Sequence, residues 1–150
     1  MARLKKIVIG VGASALVLLF LCAAAVLYAL DVLGDGMCGN TIIAERLSPG
    51  GEWKAVAFER NCGATTGFST QVSVLSAREE LKNEGGNLLV ATTAGGKAPA
   101  GPEGGPEVRI DWVSSNVVEL QYHLFAETIR AAEKVRGVRA IHRRFSDAAR

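Results

Sequence analysis

The chain has 150 residues, a formal net charge of +2 and apolar side chains at 49% of its positions. Its charge is unevenly placed: residues 1–30 carry three basic groups and no acids, residues 31–128 carry seven basic against thirteen acidic groups, and residues 129–150 carry seven basic against two acidic groups. A nucleic-acid-binding domain needs a basic face over the whole fold, so this distribution argues against nucleic acid as a partner.

An apolar segment, Ile7 to Leu30, dominates the N-terminal end, and its 24 residues include no charged side chain. As a helix the segment would be about 36 Å long, which exceeds the ~30 Å hydrocarbon core of a bilayer. Three basic residues precede it and two aspartates follow it closely, a bias that places the N-terminus in the cytoplasm. The sequence thus predicts an uncleaved single-pass anchor in the inner cell membrane.

The same pattern divides the chain into a cytoplasmic N-terminus (1–6), a transmembrane helix (7–30), a tether (31–37) and an extracytoplasmic domain (38–150). Two alternatives share part of the pattern. A cleaved secretory signal also has a basic start, but its apolar region is normally about 7–15 residues long and ends in small residues. A bacterial lipoprotein would carry its lipid on Cys22, but the bulky Leu21 before it disfavours processing.

The two other cysteines, Cys38 and Cys62, both lie in the part predicted to be extracytoplasmic. Disulfides persist in oxidising compartments, and closing a loop of about 24 residues would stabilise the fold by roughly 3 kcal/mol. The sequence therefore predicts a disulfide between them. A metal site would need two further ligands, and neither histidine has ligand spacing with either cysteine; a thiol nucleophile would need a nearby base and a reduced partner.

Beyond Cys38 the pattern is that of short strands separated by turns. Strands are predicted at 41–47, 53–60, 68–76, 87–92, 108–112, 118–122 and 138–145, with a helical turn at 77–83. The clearest signal is the alternation of Val108, Ile110 and Trp112 with polar residues, followed by a turn and a second alternating strand. This predicts a hairpin with one apolar and one solvated face.

Two further segments complete the predicted domain. Residues 94–106 include eight glycines and prolines among thirteen residues, which predicts a flexible loop inserted in a hairpin. Helical spacing over Glu127 to Arg136, ended by Gly137, predicts one short helix. The predicted fold class is an N-terminal transmembrane helix followed by a small, mainly antiparallel β (α+β) extracytoplasmic domain.

Part of the chain resembles a family of small bacterial membrane-anchored proteins of unknown function. The resemblance rests on a Ser-Pro-x-Gly turn at 48–51, a Lys-Ala strand, and a Cys-Gly-Ala-Thr-Thr segment at 62–66 that leads to Phe68 and Ser69. Gly50 stands where that family usually has Asp, and either residue suits a turn. The resemblance implies a membrane-anchored envelope protein and brings no activity. The turn, its strand and the later hairpin also look like one blade of a TolB-type β-propeller, but a closed propeller needs several blades.

The sequence has no phosphate-binding glycine loop, no metal-spaced His and Cys cluster and no nucleophile motif, so no catalytic residue, metal or cofactor is predicted. We therefore expect a non-catalytic envelope module that binds a protein partner through its sheet or through Thr65, Thr66 and Phe68.

Two alternatives stay open at this point. The basic C-terminal stretch could contact an anionic envelope polymer or lipid headgroups; its arginines are Arg136, Arg139, Arg143, Arg144 and Arg150. A small envelope enzyme would use His123 with a neighbouring carboxylate, which requires a concave pocket.

Overall fold

The computed structural model describes residues 16–30, 38–63 and 67–146 of the chain. The chain divides into two compact units, Met1–Gly36 and Met37–Arg150. The predicted cytoplasmic N-terminus (1–6), the first part of the predicted anchor (7–15) and the predicted tether (31–37) lie outside the described residues.

The first unit contains an α-helix over residues 16–30. The described part of this helix, 15 residues, extends about 22 Å, less than the ~30 Å core of a bilayer. Its large apolar side chains are exposed, Phe20 to 76% and Val26 to 57%. Within the described residues, no helix is both long and apolar enough to cross a membrane. The predicted transmembrane helix, and with it the predicted fold class, is therefore wrong; the described residues fold as mixed β sheets with one short helix.

The second unit is built from two sheets. Within the described residues its strands are β1 (Gly39–Leu47), β2 (Trp53–Asn61), β3 (Ser69–Ser76), β4 (Leu89–Thr92), β5 (Val108–Ser114), β6 (Val117–His123), β7 (Glu127–Ala131), β8 (Lys134–Val135) and β9 (Val138–Phe145). One sheet, here the five-stranded sheet, has the order β1-β2-β3-β4-β7, and the four-stranded sheet has the order β5-β6-β9-β8. The predicted strands are thus all present, and the last has the predicted bounds.

Two features of these sheets correct the sequence prediction. Strands β6 and β9 pair in parallel, whereas an antiparallel sheet was expected. The segment predicted as the helix Glu127 to Arg136 instead forms β7 and β8, because β7 completes the edge of the five-stranded sheet beside β4. Arg136 has a φ of +52°, far from the value of about −63° in a right-handed α-helix. Tertiary pairing therefore overrides the local helical spacing.

The main core lies between the two sheets. From the five-stranded sheet it takes Ala57, Val72 and Leu89, and from the four-stranded sheet Leu120 and Val138, all of them almost fully buried. Burying each large aliphatic side chain contributes about 1.5–3 kcal/mol. Since residues on one face of a strand recur every second position, this core accounts for the alternation seen in the sequence.

The outer face of the five-stranded sheet is covered by residues 77–88, here called the strap. Its Leu81 packs against a second buried cluster of Val56, Phe58 and Leu75. The strap contains turns and no helix, so the predicted helical turn at 77–83 is wrong.

The predicted disulfide is confirmed: Cys38 and Cys62 are bonded. The bond lies next to the strap, because the Asn83 side chain donates a hydrogen bond to the Cys38 carbonyl over 2.7 Å. It joins the residue before β1 to the residue after β2, so it fixes one end of the first hairpin.

The Gly- and Pro-rich segment 94–106, here called the crossover loop, links β4 of one sheet to β5 of the other. It therefore does not join the arms of a hairpin, as the sequence suggested. Ala98 is almost fully buried in the main core, Ala100 and Pro106 form an isolated bridge, and the Gly101 amide donates to the Gly105 carbonyl over 2.7 Å. These contacts hold the loop against the sandwich.

Candidate binding site: the edge groove

The sandwich has an open side where two edge strands lie next to each other. β1 ends the five-stranded sheet and β5 ends the four-stranded sheet, and the two strands pair with β2 and β6 but not with one another. An edge strand carries backbone N–H and C=O groups with no partner strand. Because both open edges face the same gap, this side of the molecule differs from the closed core.

The gap is a groove with two compartments, together called the edge groove. The first has a volume of about 220 Å³ and the second about 300 Å³. The first is lined by Ile42, Ile43, Thr70, Gly101, Pro102, Glu103, Gly105, Pro106, Glu107 and Val108. The second is lined by Ala44, Arg46, Val108, Arg109, Ile110 and Asp111. Val108 belongs to both, so the compartments are continuous along β5.

A β-bulge shapes the β1 wall of the groove. Ile42 pairs with Phe58 and Ala44 with Ala57, so Ile43 is an extra residue on β1. Bulges bend a strand and change where its side chains point. The two isoleucines are about half exposed, Ile42 to 50% and Ile43 to 47%. They therefore give the first compartment an apolar wall that solvent reaches.

The groove narrows at its far end. The indole N–H of Trp112 on β5 donates a hydrogen bond to the Arg46 carbonyl of β1 over 2.9 Å. This bond occupies one of the backbone acceptors of β1 and ties the two edges together. An extended segment can therefore enter beside Ile42 and Ile43 rather than beside Trp112.

A buried carboxylate lies behind the first compartment. Glu59 on β2 is only 7% exposed and is the cross-strand partner of Thr41 and Thr70. Burial raises the pKa of Glu59, the neighbouring Glu103 raises it further, and a hydrogen bond from the Gly105 amide acts in the opposite direction. Among the described residues its Oε2 atom has no hydrogen-bond partner. Since Thr70, Glu103 and Gly105 all line the groove, this carboxylate lies directly behind the groove wall.

Two glycines of the crossover loop allow it to lie close to the start of β3. A Cβ on Gly105 would lie 2.7 Å from the Thr70 backbone nitrogen, and one on Gly104 would lie 2.8 Å from the Phe68 ring. Gly104 also has a φ of +97°, which favours glycine. These two residues therefore place the acidic wall of the groove over β3.

Of the predicted partner-binding residues, Thr65 and Thr66 lie outside the described residues. Phe68 is described: it is 46% exposed, and its ring lies against Gly104 of the crossover loop. The structure thus places Phe68 beside the loop that forms one wall of the groove.

The predicted anion-contacting arginines do not form one cluster of exposed charges. Arg136 binds both carboxylate oxygens of Glu79, and Arg143 binds Glu119 with an N–O distance of 2.6 Å. Arg144 donates to the Leu124 and Ala126 carbonyls and lies over the Tyr122 ring.

The fourth, Arg139, is exposed on β9, and Arg150 lies outside the described residues. Of the predicted anion-contacting arginines, four lie in the described range, and three of these four make contacts within the fold.

His123 is 5% exposed at the end of β6. Its Nδ1 accepts a hydrogen bond from the Phe125 amide over 3.2 Å, and its ring contacts the rings of Phe125 and Phe145. These contacts hold the turn between β6 and β7. In the part of the chain that the structure describes, no three His, Cys, Asp or Glu side chains are arranged to hold a metal ion.

Sequence reasoning did not select the groove residues Ile42, Ile43, Glu59 and Glu103. One signal was present: two adjacent isoleucines interrupt the period of two in the first strand, which is typical of a bulge. For Glu59 there was no such signal, because strand 53–60 does not alternate and its inward face could not be recognised.

Comparison of the chain with models of protein families, with curated proteins and with solved structures finds no match in any of the three. The resemblance to small bacterial membrane-anchored proteins therefore stays a prediction.

Proposed function

We propose that this protein is a non-catalytic binding module of an oxidising, extracytoplasmic compartment, and that it holds an extended segment of a partner protein in the edge groove. The observation that carries the proposal is the position of β1 and β5, two edge strands that face one gap without pairing. A segment that adds a strand to such an edge gains main-chain hydrogen bonds and places alternate side chains in the groove.

The lining of the groove supports a polypeptide partner. Ile42, Ile43, Pro102 and Val108 supply apolar surface, and polar backbone groups of an edge strand lie beside them. The length of β1, nine residues, allows pairing with a strand of ordinary size. The disulfide supports the compartment, because such bonds persist where conditions are oxidising.

The proposal is tested by photo-crosslinking from two matched positions. Ile43 and Ile129 are each the extra residue of a bulge, on β1 and β7, the opposite edges of the same sheet. Ile129 is the more exposed, at 71% against 47%, but it does not line the groove. A photoreactive amino acid at position 43 should give a discrete protein adduct, and one at position 129 should not.

The partner identified in this way is then purified and its binding measured directly. Ile43→Glu should abolish binding and Ile129→Glu should leave it unchanged, because only the first places a charge in the apolar wall. Equal adducts at both positions, or binding that tolerates Ile43→Glu, would refute the groove as the binding site.

A further inference from the structure

The carboxylate of Glu59, buried behind the groove, is only partly hydrogen-bonded within the fold. The Gly105 amide donates a hydrogen bond to the Glu59 carboxylate, whereas the Oε2 atom of Glu59 has no hydrogen-bond partner among the described residues. A buried polar group without a partner costs the fold about 1–3 kcal/mol. Residues with this cost are often retained because a ligand needs them.

The surroundings of Glu59 favour a positively charged ligand. Glu103 is near enough to raise its pKa, and the two carboxylates therefore repel one another until a cation lies between or beside them. Glu107, the other acid of this compartment, is already paired with Arg109 over 2.8 Å. In the first compartment, the acids without an ion pair among the described residues are thus Glu103, which lines it, and Glu59, which lies behind it. Asp111 lines the second compartment together with Arg46 and Arg109.

The shape of the compartment favours a long basic side chain over a free cation. Its walls combine Ile42, Ile43 and Pro102 with the acidic groups. Lysine and arginine have apolar stems that pack on such surface while their charged ends reach a carboxylate. Hydrogen bonds of this charge-assisted kind are about twice as strong as neutral ones.

On the basis of the proposed function, we infer that the segment bound in the edge groove carries a lysine or arginine, whose charged end is held by Glu59 and Glu103 while the residues beside it pack against Ile42 and Ile43. The partner is then an extended segment with alternating apolar side chains and one basic residue. The bound basic side chain donates the hydrogen bond that Oε2 lacks. Glu59 thus selects for a basic residue, while the edge strands bind the backbone of the partner segment.

The test is selection from a phage library of random nine-residue peptides against the full-length protein. Lysine and arginine should be enriched at one position of the selected peptides, within an alternating apolar pattern. Affinities are then measured for a selected peptide and for its counterpart with norleucine at the basic position. Norleucine should weaken binding about tenfold, the size expected for one charge-assisted hydrogen bond.

Three variants separate the inference from the proposed function. Glu59→Gln should remove the preference for the basic peptide but keep binding of the norleucine peptide, and Ile43→Glu should remove both. Glu127→Gln, which changes an exposed acid on the opposite edge strand β7, should change neither.

Apolar peptides selected without any basic preference, and still lost with Ile43→Glu, would overturn the inference and leave the proposed function standing. If no selected peptide is sensitive to Ile43→Glu, both fail. Self-association of the full chain that Ile43→Glu abolishes, with no peptide selected, would assign the groove to a second copy and also overturn the inference.

Discussion

Two adjacent residues of β2, Phe58 and Glu59, point to opposite faces of the five-stranded sheet and differ in how their side chains are covered and hydrogen-bonded. Phe58 points to the outer face, where the strap covers it and its exposure is zero. Glu59 points to the inner face behind the edge groove, where its Oε2 lacks a partner among the described residues. The outer face is closed by the strap. The inner face is closed by the four-stranded sheet over the main core and is open only beside β1, at the edge groove.

The polar groups of the covered face show what closure involves. Arg60 donates to the side chains of Asn40 and Asn83, at 2.8 and 3.1 Å. Gln71 accepts from the Gly86 amide at 2.6 Å, and Asn87 exchanges hydrogen bonds with the Val74 backbone. Buried polar groups are normally satisfied in this way. Among the described residues two buried atoms are not, Oε2 of Glu59 and Nδ1 of His142, and of these only Glu59 carries a charge and lies beside the groove.

The largest expected effect is on the covered face. Phe58→Ala should lower the free energy of unfolding by about 3–5 kcal/mol, because it removes a fully buried aromatic side chain and leaves a cavity under the strap. Chemical denaturation measures the change. Ile42→Ala is the matched control: Ile42 pairs with Phe58 across β1 and β2 but is half exposed, so its loss should cost less than about 1 kcal/mol. Equal losses in the two variants would show that the strap does not close this face.

The covered face was also the more predictable from sequence. Strands β1 to β4 lie within two residues of their predicted bounds, and the turn at 48–51 follows from its Ser-Pro-Gly-Gly residues. The disulfide is predicted because Cys38 and Cys62 both lie in the segment expected to be extracytoplasmic. The edge groove depends on which strands lie next to each other across the sandwich. β1 and β5 are some 60 residues apart in sequence, and no local pattern predicts their approach.

Two of the errors have the same physical origin, the pairing of strands that are distant in sequence. Glu127 to Arg136 has helical spacing, but β4 offered an unpaired edge and the segment completed it as β7. The parallel pair β6 and β9 needs a crossover through the other sheet, which alternation does not reveal. The apolar run from Ile7 was read as one long helix, whereas the helix within the described residues covers 16–30.

The second prediction concerns Glu59, behind the open edge of the sheet, and is an increase in stability. Glu59→Gln should stabilise the protein by about 1 kcal/mol at neutral pH, a typical single-residue effect. Since the pKa of Glu59 is raised in the fold above its usual 4.5, the native state holds this proton more tightly than the unfolded chain does. Its contribution is fully present below pH 4.5 and declines as the pH rises through the native pKa.

Denaturation curves of the two proteins between pH 3.5 and 8 would check this. The curves should coincide at the acidic end and separate as the pH rises, with the variant more stable. A constant difference at all pH values would mean that charge is not the cause. If the variant is more stable and binds basic peptides less well, Glu59 is kept at a cost to stability for the sake of binding.

The smallest expected effect on stability is near the start of the strap, where Glu79 pairs with Arg136 of the turn between β8 and β9. The hydrogen bond from Arg136 lowers the pKa of Glu79 below its usual 4.5, so this pair stabilises the fold above that pH and loses its effect as the pH falls through the lowered native pKa. The pair is solvent-exposed, and such pairs contribute little and are screened by salt.

Glu79→Gln should therefore cause a small loss of stability at neutral pH that shrinks both in high salt and in acid, as measured by thermal unfolding. Glu80→Gln, the same change on the next, exposed residue, is the control and should leave the stability at neutral pH unchanged. The direction matters more than the size: acid should erase the difference for Glu79→Gln by weakening the wild-type protein, and for Glu59→Gln by strengthening it. If both differences disappeared through the same change in the wild-type protein, the contrast between the strap-covered face and the open edge of the sheet would not hold.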